Sequence, residues 1–214
     1  MANILSNTIG LIDYGLSNIS SIQNCLRKLE IDYKIISSKK DFTNHENYIL
    51  PGVGSFKKAI ESIKERSLDE CLDVQINKEK SKILGICLGM QLLYDQSEED
   101  GVTSGLGFIN GKVVKLEENE NFSVPNIGWI NPIFKFDKSS IFLNELNSES
   151  FYYFVHKYGC ITKDRSLVFA TIETPVEIDV IIKKENIFGC QFHPEKSDVD
   201  GMQIIKSFLN EKAN

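Results

Sequence analysis

The sequence predicts an α/β fold: a mostly parallel central sheet flanked by helices, continued by an antiparallel or mixed C-terminal extension. Three observations carry this. Up to Glu99, short apolar runs of strand length are interleaved with stretches of helical periodicity, the pattern of a parallel sheet covered on both faces. Beyond Glu99 the apolar runs follow one another with turn residues between them and no long helical pattern. The 214 residues, 42% hydrophobic, suffice for one substantial core and are short for two, so one domain over residues 1–214 is expected.

Thr8 to Asp13 reads as the first buried strand, and Tyr14-Gly15-Leu16 as the turn leaving its carboxyl end. Ser17 is the expected cap of a helix whose apolar residues Ile19, Ile22, Leu26 and Leu29 recur at helical spacing. Tyr33 to Ser37 and Tyr48 to Leu50 are the next strands; Pro51-Gly52-Val53-Gly54 closes the second, and Ser55 opens a helix through Phe56, Ile60 and Ile63. A helix over Leu68 to Asn77 precedes a strand beginning at Lys82, and good helix formers resume from Met90 to Tyr94. In the extension, strands are expected over Phe108–Leu116, Ile130–Phe136, Phe151–Ile161, Leu167–Glu173 and Val176–Cys190. Ser197 or Asp198 caps a last helix that buries Met202, Ile205, Phe208 and Leu209.

A net charge of −6, with no Lys/Arg block longer than two, argues against nucleic-acid binding. No apolar run is long enough to span a membrane, and Met1 to Asn7 lacks the basic start of a signal peptide, so a cytoplasmic location is expected. The five cysteines, with no C-x-x-C pair, suit a reducing compartment and argue against a disulfide framework or a thiolate zinc site.

Chemistry concentrates first at Gly85-Ile86-Cys87-Leu88-Gly89, where a strand runs into a helix. Glycines two before and two after a residue on a tight strand-to-helix turn are the outline of a nucleophile elbow, with Cys87 as nucleophile. The helix start aims unpaired N–H groups at the turn, favouring a thiolate and an adjacent oxyanion. By itself this does not identify a reaction. A base is also needed. His45 lies in the polar run 43–47, read as a solvated loop, and His156 is strand-borne and suits packing or an interface. His193 ends the last strand in Gln191-Phe192-His193-Pro194-Glu195, where an extended backbone puts His193 and Glu195 on one face. Glu195 can then hold one imidazole nitrogen while the other faces Cys87, giving nucleophile, base and orienter.

These two motifs together resemble the signature pair of class I, triad-type glutamine amidotransferases. Five further blocks narrow it: Asp13-Tyr14-Gly15-Leu16-Ser17-Asn18, Pro51-Gly52-Val53-Gly54-Ser55-Phe56, Gly128-Trp129, Tyr153-Phe154-Val155-His156 and His193 to Ser197. They are similar to the glutaminase subunits of imidazole glycerol phosphate synthases, over essentially the whole chain. The resemblance implies a flavodoxin-like layout, no cofactor and no metal. It also implies that Cys87 attacks the amide carbon of L-glutamine while His193 and Glu195 complete the triad. Leu88 N–H supplies one oxyanion donor by elbow geometry; by the resemblance the other comes from Gly52, Val53 and Gly54, whose peptide flips between inactive and active orientations. Gln91 and Glu99 match positions that hold glutamine. Trp129, Tyr153, His156 and Lys196 would lie at the mouth through which ammonia passes to a separate (β/α)8 cyclase subunit, the chains forming a heterodimer.

The match is incomplete at that mouth. Pro125-Asn126-Ile127-Gly128-Trp129-Ile130 stands where the family reads Pro-His-Met-Gly-Trp-Asn, and Ser17-Asn18 where it reads Gly-Asn. A glutaminase feeding a sugar-amidinating synthase of surface-polysaccharide biosynthesis therefore stays open. So does a cysteine hydrolase or stress-type protein of the same layout, which needs neither Pro51-Gly52-Val53-Gly54 nor His193-Pro194-Glu195.

Overall fold

The computed structural model describes residues 8–43, 45–135 and 146–211. Residues 1–7, Asn44 and Phe136, on which the sequence reading also bears, lie outside them. Strands β1 (Ile9–Ile12), β2 (Tyr33–Ile36), β3 (Asn47–Gly52) and β4 (Lys82–Cys87) alternate with helices α1 (Ile19–Lys28), α2 (Phe56–Glu65) and α3 (Leu68–Asp73), the last continued by a π-helical turn to Lys78. Together with β14 (Ile187–Cys190) they form a parallel block in the order β2-β1-β3-β4-β14, the flavodoxin-like arrangement. Ligands of such sheets bind beyond the carboxyl ends of the strands. Here those ends carry Gly52, Cys87 and the segment leading to His193.

Side-chain alternation along the strands separates two cores. Leu11, Ile49, Leu84 and Ile86 face Ile22 and Leu26 of α1 and Ile204 and Phe208 of the last helix, α5 (Asp198–Asn210). Ile12, Leu50 and Ile83 face Phe56, Ile60 and Ile63 of α2 and Leu68 and Leu72 of α3. The sheet is therefore covered on both faces, as the alternation of elements requires.

The extension is antiparallel: β14 pairs with β13 (Ile178–Lys184), which pairs with β11 (Tyr158–Thr162) and β12 (Val168–Ile172), and β11 pairs with β7 (Ile109–Lys115). Several expected elements are cut differently. The run 176–190 is a hairpin, turned at Glu185 with φ 50°. The run 151–161 is two strands in different sheets: β10 (Tyr152–His156) pairs with β8 (Asn126–Ile130) in a separate ribbon, and β11 joins the main sheet after Lys157 alone. Among the described residues of the expected strand 130–136, only β9 (Ile133–Phe134) follows β8, because Pro132 has no N–H to pair. The elbow helix α4 (Leu88–Leu92) stops early, and Tyr94–Ser97 forms β5, which pairs with β7 and with β6 (Thr103–Ser104).

Helix capping also departs from expectation. The N-cap of α1 is Asn18, without a side-chain bond, while the Ser17 hydroxyl turns back to Asp13 Oδ1 at 3.4 Å. Ser55 occupies the N-cap of α2, but the Phe56 N–H donates to Glu99 Oε2 at 2.7 Å, so a carboxylate from a distant loop does the capping. His45 is buried rather than solvated, its Nδ1 donating to Thr8 O at 2.9 Å. All five cysteines are free. No helix of the described residues is long and apolar enough to cross a membrane.

Candidate active site

Cys87 ends β4 at φ 54°, ψ −111°, a conformation that side chains rarely adopt and that turns its sulfur out of the strand's alternation. The flanking glycines are steric necessities. A Cβ on Gly89 would lie 1.7 Å from Leu50 O, and one on Gly85 2.7 Å from Gly89 O. Only bare backbone lets α4 start against β3 immediately after the nucleophile. Cys160 and Cys190, also close to this site, have thiols pushed well up by burial.

His193 Nδ1 donates to Glu195 Oε1 at 2.8 Å, and both side chains are 2% exposed. His193 Nε2 has no hydrogen bond of ordinary geometry among the described residues. Burial would lower the pKa of this ring, but the neighbouring Cys87 sulfur and the Glu195 carboxylate outweigh it and raise it to about 10. The imidazolium is the form a cysteine thiolate stabilises and the form that can give a proton to a leaving group. The structure thus brings the three predicted groups into one constellation. It holds His193 firmly as well: its N–H donates to Tyr153 O at 2.9 Å, and its carbonyl accepts from Ser197 Oγ at 2.6 Å.

One residue of the site carries chemistry that its place in the Gln-Phe-His-Pro-Glu run does not announce. Gln191 is fully buried and donates through Nε2 to Cys87 Sγ at 3.7 Å. Its Oε1 accepts from Gln91 Nε2 at 3.0 Å. Gln91 Nε2 gives its other hydrogen to Tyr158 O at 2.9 Å, which leaves Oε1 as the atom it can offer a ligand. A donor on a ligand, such as an α-ammonium or amide N–H, is what that oxygen accepts. No sequence signal marks Gln191 as a sulfur partner, because the contact joins positions 104 residues apart.

A cavity of about 330 Å³ opens over the sulfur, lined among others by Val53, Leu88, Gln91, Glu99, His156 and His193. Its size suits a small amino acid better than a polymer. Glu99 stands at one wall with Oε2 engaged by Phe56 N–H, leaving Oε1 for a cation. Val53 and Gly54 border the cavity, and Gly52 stands opposite Cys87 in the β3–β4 register. The Val53 N–H, however, donates to Leu16 O at 3.2 Å, so it is committed to the turn after β1.

The proposed mouth residues separate into two groups. Trp129 and Tyr153 are cross-strand neighbours on the β8–β10 ribbon with ring centroids 6.0 Å apart, and Lys196 Nζ sits 5.7 Å over the Tyr153 ring. Trp129, Ile127 and Phe151 are exposed on the same ribbon or beside it. His156 is different: buried at the cavity wall, its ring accepts from Asn126 Nδ2 at 2.9 Å and donates to Tyr158 O at 2.9 Å. Burial pushes its pKa down to about 4, so it is a neutral wall residue and not part of a basic rim.

The family model described as glutamine amidotransferase class-I matches residues 10–212. The chain is 40% identical over 206 residues to the imidazole glycerol phosphate synthase subunit HisH of Geobacillus sp. (strain WCH70), covering 94% of this chain and 96% of that one. It is also 40% identical over 203 residues to subunit HisH 2 of Methanococcus maripaludis, covering 95% and 99%. Among solved structures, PurLQS from Thermotoga maritima aligns with a TM-score of 0.72 at 18% identity, covering 96% of this chain and 98% of that one, a likeness of fold alone. With a match from residue 10 to residue 212 and such relatives over nearly its whole length, the chain belongs to the class-I glutamine amidotransferase family.

Proposed function

We propose that this chain is the glutaminase subunit of an imidazole glycerol phosphate synthase, hydrolysing L-glutamine and passing ammonia to a cyclase partner in histidine biosynthesis. The observation that supports it most is that Cys87 and His193 line one small cavity, with Glu195 holding the far nitrogen of the imidazole, in a chain 40% identical to subunits of that name. The relatives' names favour this partner over a sugar-amidinating synthase and over a cysteine hydrolase of the same layout.

In this reading the Cys87 thiolate attacks the side-chain amide carbon, and the tetrahedral oxyanion is met by Leu88 N–H and, once the 52–53 peptide turns over, by Val53 N–H. His193 gives its proton to the departing nitrogen, so ammonia leaves and a glutamyl thioester remains. Water then attacks the thioester while His193 takes its proton; glutamate leaves and the thiolate returns. Gln91 Oε1 and Glu99 Oε1 receive the α-ammonium. Gly54 and Gly52 give the strand the freedom to turn.

Ammonia released into water at neutral pH would be protonated and lose its nucleophilicity. Delivery therefore needs a closed interface, and the cluster of exposed Trp129 and Lys196 around half-buried Tyr153 is the surface we assign to a (β/α)8 cyclase in a heterodimer, in the cytoplasm. The backbone bonds from Tyr153 to His193 and to Ser197 Oγ would carry contact at that surface to the base. Release of glutamate from glutamine by the mixed subunits tests the proposal: Cys87→Ala is expected to abolish it with fold intact, and wild-type release by that variant would end the glutaminase reading.

A further inference from the structure

Tyr14 follows β1 in the turn that carries Leu16. It is fully buried, yet its hydroxyl has no hydrogen-bond partner among the described residues. A buried hydroxyl left unpaired costs stability that a phenylalanine would not, so its place calls for a reason. A Cβ on Gly52 would lie 2.2 Å from Tyr14 Oη, and the same point is 2.9 Å from Leu88 Cβ and 3.1 Å from Gly89 N. The hydroxyl is thus packed against the Gly52 Cα where the end of β3 meets the start of the nucleophile helix.

We propose that the Tyr14 hydroxyl is a donor held for the Gly52 carbonyl, latching the 52–53 peptide in the orientation that offers Val53 N–H to the substrate oxyanion. The inference rests on the glutaminase reading and on the turning of that peptide. With Val53 N–H on Leu16 O, the peptide places its donor toward the turn after β1. When it turns over, the Gly52 carbonyl takes that place and faces the Leu16 carbonyl, acceptor against acceptor. A donor on that side removes the conflict, and Tyr14 Oη is an uncommitted buried donor in contact with Gly52. Its mount is rigid: Tyr14 O accepts from Ser62 Oγ at 2.5 Å, and Asp13 Oδ1 accepts the Gly15 N–H at 2.9 Å. Burial, followed by the charges of Cys87 and Asp13, keeps the phenol protonated and so able to donate. A side chain at position 52 would displace the hydroxyl, giving Gly52 a second role besides freedom to rotate.

Two reagents for Cys87 separate this role from a structural one. With a chloromethyl ketone analogue of glutamine, sulfur bonds to the chloromethyl carbon as chloride leaves, and the ketone oxygen draws on the oxyanion donors. Iodoacetamide alkylates the same thiolate without them. In the full chain, Tyr14→Phe is expected to slow the chloroketone by about tenfold, the worth of one hydrogen bond, to leave the iodoacetamide rate within about twofold, and to leave the thermal midpoint unchanged or higher. Equal chloroketone rates in wild type and Tyr14→Phe would overturn the latch, as would an equal fall with both reagents. A wild-type chain that reacts no faster with the glutamine-shaped reagent than with iodoacetamide would overturn the glutaminase reading, and the latch with it.

Discussion

The Val53 N–H donates to the Leu16 carbonyl at 3.2 Å, across the gap between the end of β3 and the turn after β1. A backbone donor fixed there cannot at the same time serve an oxyanion over Cys87. Loss of one oxyanion donor lowers kcat by about 10²–10³-fold in acyl-transfer enzymes. The isolated chain is therefore expected to hydrolyse glutamine about a hundredfold more slowly than its complex with a (β/α)8 cyclase bearing a phosphoribulosyl ligand, with the difference in kcat and little in KM. Glutamate release measured with and without the partner checks this, and full-rate hydrolysis by the chain alone would refute the gating.

Gln191 is the link between the nucleophile and the residue assigned to hold substrate, since it donates to Cys87 Sγ and accepts from Gln91. Gln191→Leu removes the N–H···S contact and leaves the Gln91 amide without one acceptor; glutaminase kcat/KM is expected to fall about 10–100-fold, in line with about 1.5–3 kcal/mol for a hydrogen bond to a charged group. Gln191→Glu keeps an acceptor for Gln91 but sets an anion beside the sulfur. It should slow iodoacetamide alkylation of Cys87 at pH 7 more than Gln191→Leu does, and shift its pH profile upward. Alkylation at the wild-type rate in Gln191→Glu would show that the sulfur contact has no role.

The parts of this site that can be read along the chain are those in which local sterics dictate residue type. Gly89 and Gly85 are legible because a side chain at either would strike backbone, Leu50 O and Gly89 O respectively, and His193 and Glu195 because two residues apart on extended backbone share a face. What stays hidden is set by distant partners. The break between β13 and β14 falls at Glu185-Asn186, with no glycine or proline to announce it; Asn186 is held by its side chain, which donates to Ile76 O and Ser81 O. The change of sheet at Lys157 interrupts no hydrophobic pattern. Lys82 reads as the polar edge of a strand, yet it is buried and donates to Phe208 O, Leu209 O and Glu211 O at 3.1, 2.9 and 2.5 Å, closing the C-terminal end of α5. Glu99 caps a helix 43 residues away, and a Ser at the expected cap position does not.

The buried histidines give the protein an acid and an alkaline limb of opposite origin. Burial is the largest influence on His156 and carries its pKa from 6.5 down to about 4, against the Tyr158 carbonyl bond that favours the charged ring. A base whose folded pKa is depressed binds fewer protons folded than unfolded, so its stabilisation is complete above pH 6.5 and lost as pH falls toward 4. His45 is lowered by burial too and acts in the same direction. His193 is the reverse: raised to about 10, it contributes fully below pH 6.5, and its contribution is lost as pH rises through 10. His156→Gln retains a donor for Tyr158 O and an acceptor for Asn126 but does not titrate. In denaturant midpoints taken at pH 8 and pH 5, wild type should lose about 1–2 kcal/mol more than this variant over that interval. The Gln variant should keep His45 as its remaining buried acid-sensitive ring. An acid limb unchanged by the substitution would mean that the His156 ring is protonated within the folded protein at pH 5, which its burial between Asn126 and Tyr158 opposes.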